Sequence, residues 1–155
     1  MKKLISILIA AILFTTTACA AGGKPSTKGV LSMKLNIQID NGTNKHTLTA
    51  TLYDNSSSRA LVELLQKGAV TIDMHDFSNF EKVGDLPVTL PRNDTPTNTD
   101  AGDLILYLGK RFVIYYDKNS WDFTPLGKVD GVTKAELKKI LGEGNVTAVL
   151  TCSGQ

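Results

Sequence analysis

Two strongly apolar runs separated by a short turn dominate the middle of the chain, within residues 102–131. Residues 104–108 and 112–116 are rich in strand-forming side chains, and the turn between them contains Gly109. The only tryptophan of the chain, Trp121, follows shortly afterwards. We interpret the rest of the folded chain as strands that close a barrel against this central pair.

A hairpin is predicted at the start of the folded part. Apolar residues alternate with polar ones at Leu35, Ile37 and Ile39, which indicates a half-buried strand. Asn41-Gly42 tolerates the positive φ of a tight turn, and residues 46–53 alternate again on the way back. The pattern favours an antiparallel hairpin with one apolar face.

Two helices are predicted, each from an N-cap signal followed by an apolar stripe. The first follows the polar cluster at residues 55–58 and ends before Gly68. The second starts at Thr133, whose spacing to Glu136 fits a capping box, and ends before Gly142. The stripes consist of Ala60, Leu61, Leu64 and Leu65 in the first helix and of Leu137, Ile140 and Leu141 in the second. Both helices are expected to cover the barrel.

Short strands are also predicted near residues 70–74, 126–129 and 146–152, with a turn-rich loop at residues 91–102. Many short strands with only two short helices favour a mainly β fold. Since closure removes the free edges of a sheet, we expect a closed antiparallel β-barrel of about eight strands with two covering helices.

The first nineteen residues have the features of a signal peptide. Lys2 and Lys3 precede an apolar stretch at residues 4–14 that is too short to span a bilayer. Residues 16–19 resemble a bacterial lipobox, in which Cys19 would be lipidated, and residues 18–20 also fit an ordinary small-x-small cleavage site.

The predicted signal peptide determines the expected domain organisation and the expected cellular location of the protein. We expect a lipoprotein-type signal peptide at residues 1–19, a flexible tether at 20–32 and a folded domain at 33–155. The protein is then exported to a bacterial cell envelope and touches the membrane only through a lipid on Cys19. A soluble periplasmic or secreted protein is the alternative.

Charge and titratable residues exclude several classes of function. Without Lys2 and Lys3, 15 basic residues balance 15 acidic ones, so the domain lacks the basic excess typical of nucleic-acid binding. Asp73, His75 and Asp76 could approach a metal, but a polar strand end explains them better, and we expect neither a metal nor a cofactor. Cys152 alternates with apolar neighbours and is expected to be a small buried residue.

The order of several short motifs resembles the cyclophilins across residues 33–155. The E-K-V-G-D-L-P segment at residues 81–87 is also similar to a compact bacterial group of cyclophilin-like domains. The motifs are H-T-L-T-A-T-L-Y-D-N at residues 46–55, N-F-E-K-V at 79–83, R-F-V-I at 111–114, N-S-W at 119–121 and L-G-K-V at 126–129. The resemblance implies the cyclophilin barrel and a groove that binds peptides containing an Xaa-Pro bond.

Cyclophilins isomerise Xaa-Pro bonds, and this chain departs from the residues that the family uses. Lys82 stands where the family has arginine, and Val113 where it has the phenylalanine of the proline pocket. Lysine keeps the charge but lacks the planar, multiply donating guanidinium. The family's F-M-x-Q motif has no match at residues 85–91, and no histidine lies between Trp121 and Leu126. The resemblance therefore implies a groove with much of the catalytic set missing.

Strand alternation predicts which residues line that groove. If Leu104, Leu106, Leu108, Phe112 and Ile114 fill the barrel, the intervening residues point outwards. Tyr107, Val113 and Tyr115 would then face Lys82 and Trp121, giving a ligand site of these five residues. The alternative is that the tyrosines pack under a helix and Lys82 is solvated.

These observations lead to three hypotheses for function. The first is a monomeric binding module that holds a peptide or protein segment, possibly proline-containing, or a small ligand. The second is an enzyme, a weak peptidyl-prolyl isomerase of the envelope in which Lys82 replaces the arginine. The third is an accessory partner of a flavodoxin-like redox protein, which the resemblance to cyclophilin-like bacterial domains suggests.

Overall fold

The computed structural model describes residues 33–152, which form nine strands and two helices. The predicted signal peptide, Cys19 and the tether at residues 20–32 lie outside the described residues. The elements are β1 (Lys34–Asp40), β2 (Lys45–Leu52), α1 (Ser56–Leu65), β3 (Val70–Phe77), β4 (Glu81–Asp85), β5 (Thr95–Thr99), β6 (Asp103–Tyr107), β7 (Arg111–Tyr115), β8 (Asn119–Val129), α2 (Lys134–Leu141) and β9 (Val146–Cys152).

Eight of the strands form a closed, barrel-like ring. Neighbours pair antiparallel in the order β2-β1-β9-β3-β4-β7-β6-β8, and β8 pairs with β2 to close the ring. Closure pairs Ala50 with Val129 and Leu52 with Gly127. The ninth strand, β5, pairs with the first half of β8. The prediction of a mainly β, antiparallel barrel-like fold is confirmed.

Alternate residues of each strand fill the interior of the ring. Leu35, Ile37 and Ile39 of β1 are fully buried, as are the interior residues of the central hairpin: Leu104, Leu106, Phe112 and Ile114. The expectation that Leu108 also fills the barrel is wrong. Leu108 lies in the β6–β7 turn with φ of 52° and is 51% exposed, because the strand ends at Tyr107.

Both predicted helices are present with the predicted caps. The Asn55 side chain accepts a hydrogen bond from the backbone N–H of Ser58 at 2.9 Å. Thr133 and Glu136 form the complete capping box at the start of α2. The helices bury Leu61 and Leu65 of α1 and Leu137 and Leu141 of α2 in the same apolar cluster as the ring interior.

Two strands were not predicted. Residues 91–102 were expected to be a loop, but they contain β5, whose sequence T-P-T-N-T carries no apolar alternation because it is mostly exposed. Strand β4 is short and contains Glu81, Lys82 and Gly84, which obscure its period of two. Both strands border the candidate site described below, because β4 pairs with β7 in its floor and β5 pairs with the segment that carries Trp121.

Candidate functional site

A hollow lies on the outer face of the ring, where β3, β4, β6, β7 and the first half of β8 meet. Its volume is about 660 Å³, within the range of small-molecule pockets. We call it the outer concavity. It is lined by Asp73, His75, Phe77, Glu81, Val83, Gly84, Asp85, Tyr107, Arg111, Val113, Tyr115, Asn119, Trp121 and Phe123.

The floor of the outer concavity is apolar. The register places Val83 of β4 beside Val113 of β7, and Val113 beside Ile105 of β6, so their side chains share one face of the sheet. With Tyr115 and Phe123 they form a buried cluster separate from the ring interior. A sheet with apolar side chains on both faces provides a second small core, here partly open to solvent.

Aromatic side chains form the walls. The Tyr107 and Phe123 rings contact edge to face, with centroids 6.0 Å apart, and Tyr115 lies 5.7 Å from Phe123. Trp121 and Phe77 line the rim and are 65% and 51% exposed. Large apolar side chains that remain exposed beside a concave surface are a feature of binding sites.

The β3–β4 hairpin positions one side of the site through a tight turn at Ser78, Asn79 and Phe80. Ser78 and Asn79 both have left-handed φ, of 51° and 57°, and the backbone N–H of Phe80 donates to the carbonyl of Phe77. This turn geometry matches the right-handed twist of the strands. It places Phe80 parallel to Tyr115, with ring centroids 6.1 Å apart, and brings Phe77 edge-on to Phe80.

Glu81 is a buried carboxyl group in this apolar setting. It is 9% exposed, and its Oε2 has no hydrogen-bond partner among the described residues. Burial raises the pKa of Glu81, although a hydrogen bond from Tyr115 and the charges of His75 and Arg111 act in the opposite direction. The group is therefore held towards its neutral form.

The charged groups at the rim are paired with one another. The Asp85 carboxylate lies 3.7 Å from both Lys110 Nζ and Arg111 Nε. The Arg111 guanidinium also lies over the Tyr107 ring, 6.0 Å from its centroid. These contacts are solvent-exposed and contribute little to stability, but they orient Arg111 at the mouth of the concavity.

Asp73 and His75 lie on the same face of β3, as their spacing predicts, and both line the concavity. Asp76 faces the other way, where it accepts a hydrogen bond from Lys82. Over residues 33–152 no group of three or more metal-ligating side chains comes together. The three residues weighed as metal ligands are thus divided between two faces of the strand.

The structure brings four of the five predicted ligand-site residues together, namely Tyr107, Val113, Tyr115 and Trp121, but not Lys82. Lys82 pairs with Ile114 and is 0% exposed on the opposite face of β4. Its ammonium group donates to Asp76 and to the carbonyls of Gly142 and Gly144. The expectation that Lys82 faces the concavity is corrected, because strand alternation points its neighbours Glu81 and Val83 there.

Sequence reasoning missed several lining residues, among them Glu81, Val83, Arg111 and Phe123. Alternation within β4 would have placed Glu81 on the outer face, but only if residues 81–85 had first been predicted as a strand. Cys152 was expected to be a buried residue, and the structure shows it half-buried. It packs against the apolar interior, its Sγ is 3.8 Å from the carbonyl of Val62, and burial raises the pKa of its thiol.

The ring of antiparallel strands, the two capped helices and the outer concavity define a cyclophilin-like class of domain. A model of the cyclophilin-like family matches residues 42–151, and the protein belongs to this family. No curated protein matches the chain. None of the helices within residues 33–152 has the length and apolar character needed to cross a membrane.

Proposed function

We propose that the protein is a binding module that holds a peptide segment or a small ligand in the outer concavity. The observation that supports this most is the combination of an apolar floor at Val83 and Val113 with exposed aromatic side chains at the rim. Binding of an apolar ligand to such a surface is favourable, because the ligand displaces water from apolar side chains. The signal-like residues 1–19 support the further proposal that it acts in the cell envelope, anchored through Cys19.

The arrangement of basic groups favours binding over prolyl isomerisation. Isomerisation in this family depends on a fixed cation beside the twisted amide, as the resemblance implies. Lys82, the matching residue, makes three hydrogen bonds on the opposite face of its strand. Arg111 lies at the rim, next to Asp85, rather than in the floor. A weak isomerase is therefore the second candidate.

Trp121 provides a direct test, because it is the only tryptophan and lies at the rim. We expect a capped, uncharged Ala-Ala-Pro-Phe peptide to shift its fluorescence emission to shorter wavelength in a saturable titration. Phe77→Ala should weaken binding about five- to tenfold, since it removes an aromatic contact.

Tyr53→Ala is the matched control, since Tyr53 is about as exposed as Phe77 but does not line the concavity. Its peptide affinity should equal that of the parent. An unchanged Trp121 emission, or equal losses of affinity in the two variants, would contradict the proposed site.

A further inference from the structure

The Glu81 side chain is the least satisfied polar group of the outer concavity. The carboxyl lies between its strand neighbours Phe77 and Tyr115, and its Oε2 is buried without a partner in the described part of the chain. Buried polar atoms nearly always have a hydrogen-bond partner, and an exception calls for an explanation, of which a bound group is one. Among the described side chains, Glu81 Oε2 is the one buried polar atom without a hydrogen-bond partner, and Glu81 lines the concavity.

The surroundings of Glu81 determine which kind of ligand suits it. Four neighbouring side chains influence the pKa of Glu81: His75 and Asp76 of β3, and Arg111 and Tyr115 of β7. No ion pair involves Glu81 among residues 33–152, and burial, the largest influence, raises the pKa of Glu81, which widens the pH range over which the carboxyl group is neutral. A neutral carboxyl group has one O–H donor and an acceptor oxygen.

We infer that the Glu81 carboxyl is the recognition group of the concavity and that its ligand is the main chain of an extended peptide. This inference rests on the proposed function and specifies its ligand. One residue of an extended strand directs its N–H and C=O to the same side, where a partner strand exchanges two hydrogen bonds with it. The neutral carboxyl of Glu81 reproduces that partner, since its O–H donates to the C=O and its other oxygen accepts from the N–H.

The apolar floor supports the same ligand. Side chains next to the bound residue would extend along Val83 and Val113, while Tyr107 and Trp121 flank the backbone. Main-chain hydrogen bonds give affinity in such complexes, and pockets for the side chains give selectivity. A cationic ligand would instead require Glu81 to ionise in an apolar setting.

The test is the pH dependence of peptide affinity, measured by Trp121 emission with the capped Ala-Ala-Pro-Phe peptide. The neutral acid binds, so affinity should be highest at acidic pH and fall about tenfold as the pH rises through the raised pKa of Glu81. Glu81→Gln keeps one donor and one acceptor at every pH. Its affinity should stay within about threefold of the acidic parent value and show no such fall.

Glu81→Ala should lose about tenfold in affinity at acidic pH, because it removes both hydrogen bonds. Thermal unfolding of both variants establishes that they are folded at the titration temperature. His75→Gln is the control for the imidazole that also lines the concavity. A pH dependence that survives in Glu81→Gln and disappears in His75→Gln would overturn the inference.

The remaining outcomes separate the inference from the proposed function. An affinity that rises with pH and is lost in Glu81→Gln would mean that ionised Glu81 binds a cation; the concavity would stand as a site, and the main-chain inference would fail. Equal affinity in parent, Glu81→Gln and Glu81→Ala would also overturn the inference alone. No peptide-dependent emission change at any pH would overturn both.

Discussion

Replacing Gly127 with alanine is expected to destabilise the fold by about 3 kcal/mol or more, because any side chain there collides with backbone. A Cβ atom at Gly127 would lie 2.3 Å from the carbonyl oxygen of Thr51 and 2.8 Å from Leu52 Cα. Leu52 and Gly127 are partners in the β2–β8 pairing that closes the ring. Urea denaturation followed by far-UV circular dichroism measures the loss.

Gly131→Ala is the control for this prediction. Gly131, unlike Gly127, has a left-handed φ, of 60°, and an added Cβ there meets nothing within 4 Å. Gly131→Ala should lower the stability of the fold only by the backbone strain of an alanine with left-handed φ, about 1–2 kcal/mol. If Gly127→Ala were no more destabilising than Gly131→Ala, closure through β2 and β8 would not have the close contact described.

Replacing Lys82 with methionine is expected to cost about 3 kcal/mol of stability, since it removes the donor shared by three acceptors. Lys82 Nζ lies 2.7 Å from Asp76 Oδ1, 2.6 Å from the Gly144 carbonyl oxygen and 3.1 Å from that of Gly142. It therefore connects β3 and β4 to the turn between α2 and β9. Urea denaturation again measures the effect.

The surroundings of Asp76 show how strongly this network favours the charged pair. Burial raises the pKa of Asp76, but hydrogen bonds from Lys82 and Tyr116 outweigh it, and the pKa lies below its usual value. Lys128→Met is the control, because Lys128 makes an exposed ion pair with Asp103 and should change stability by less than about 1 kcal/mol. Similar small losses in both variants would refute the structural role of Lys82.

Much of the fold could be predicted from the sequence because its signals are local. The alternation in β1, the Asn55 cap and the Thr133–Glu136 capping box each depend on neighbouring residues alone. Strand β5 could not be predicted, since an exposed edge strand has no apolar face to give it a pattern. What stabilises it is pairing with β8, a contact between distant parts of the chain.

The candidate site, too, could be predicted from the sequence only in part. Alternation in the two central strands correctly separated Tyr107, Val113 and Tyr115 from the interior residues. Lys82 was assigned to the site from the resemblance of a motif. A shift of one residue along a strand moves a side chain to the other face of the sheet, so a motif match alone does not give the facing residue. Here the outward residue is Glu81.

The most direct test of the proposal that the protein is a binding module without isomerase activity is two-dimensional NMR with an Xaa-Pro peptide. In ¹⁵N-labelled protein, peptide should shift the backbone signals of Val83 and Val113 and the indole signal of Trp121, which line the concavity. With substoichiometric protein, cis–trans exchange cross-peaks of the peptide should stay absent, as uncatalysed exchange takes tens of seconds or longer. Exchange cross-peaks, or shifts confined to residues outside the concavity, would contradict the account.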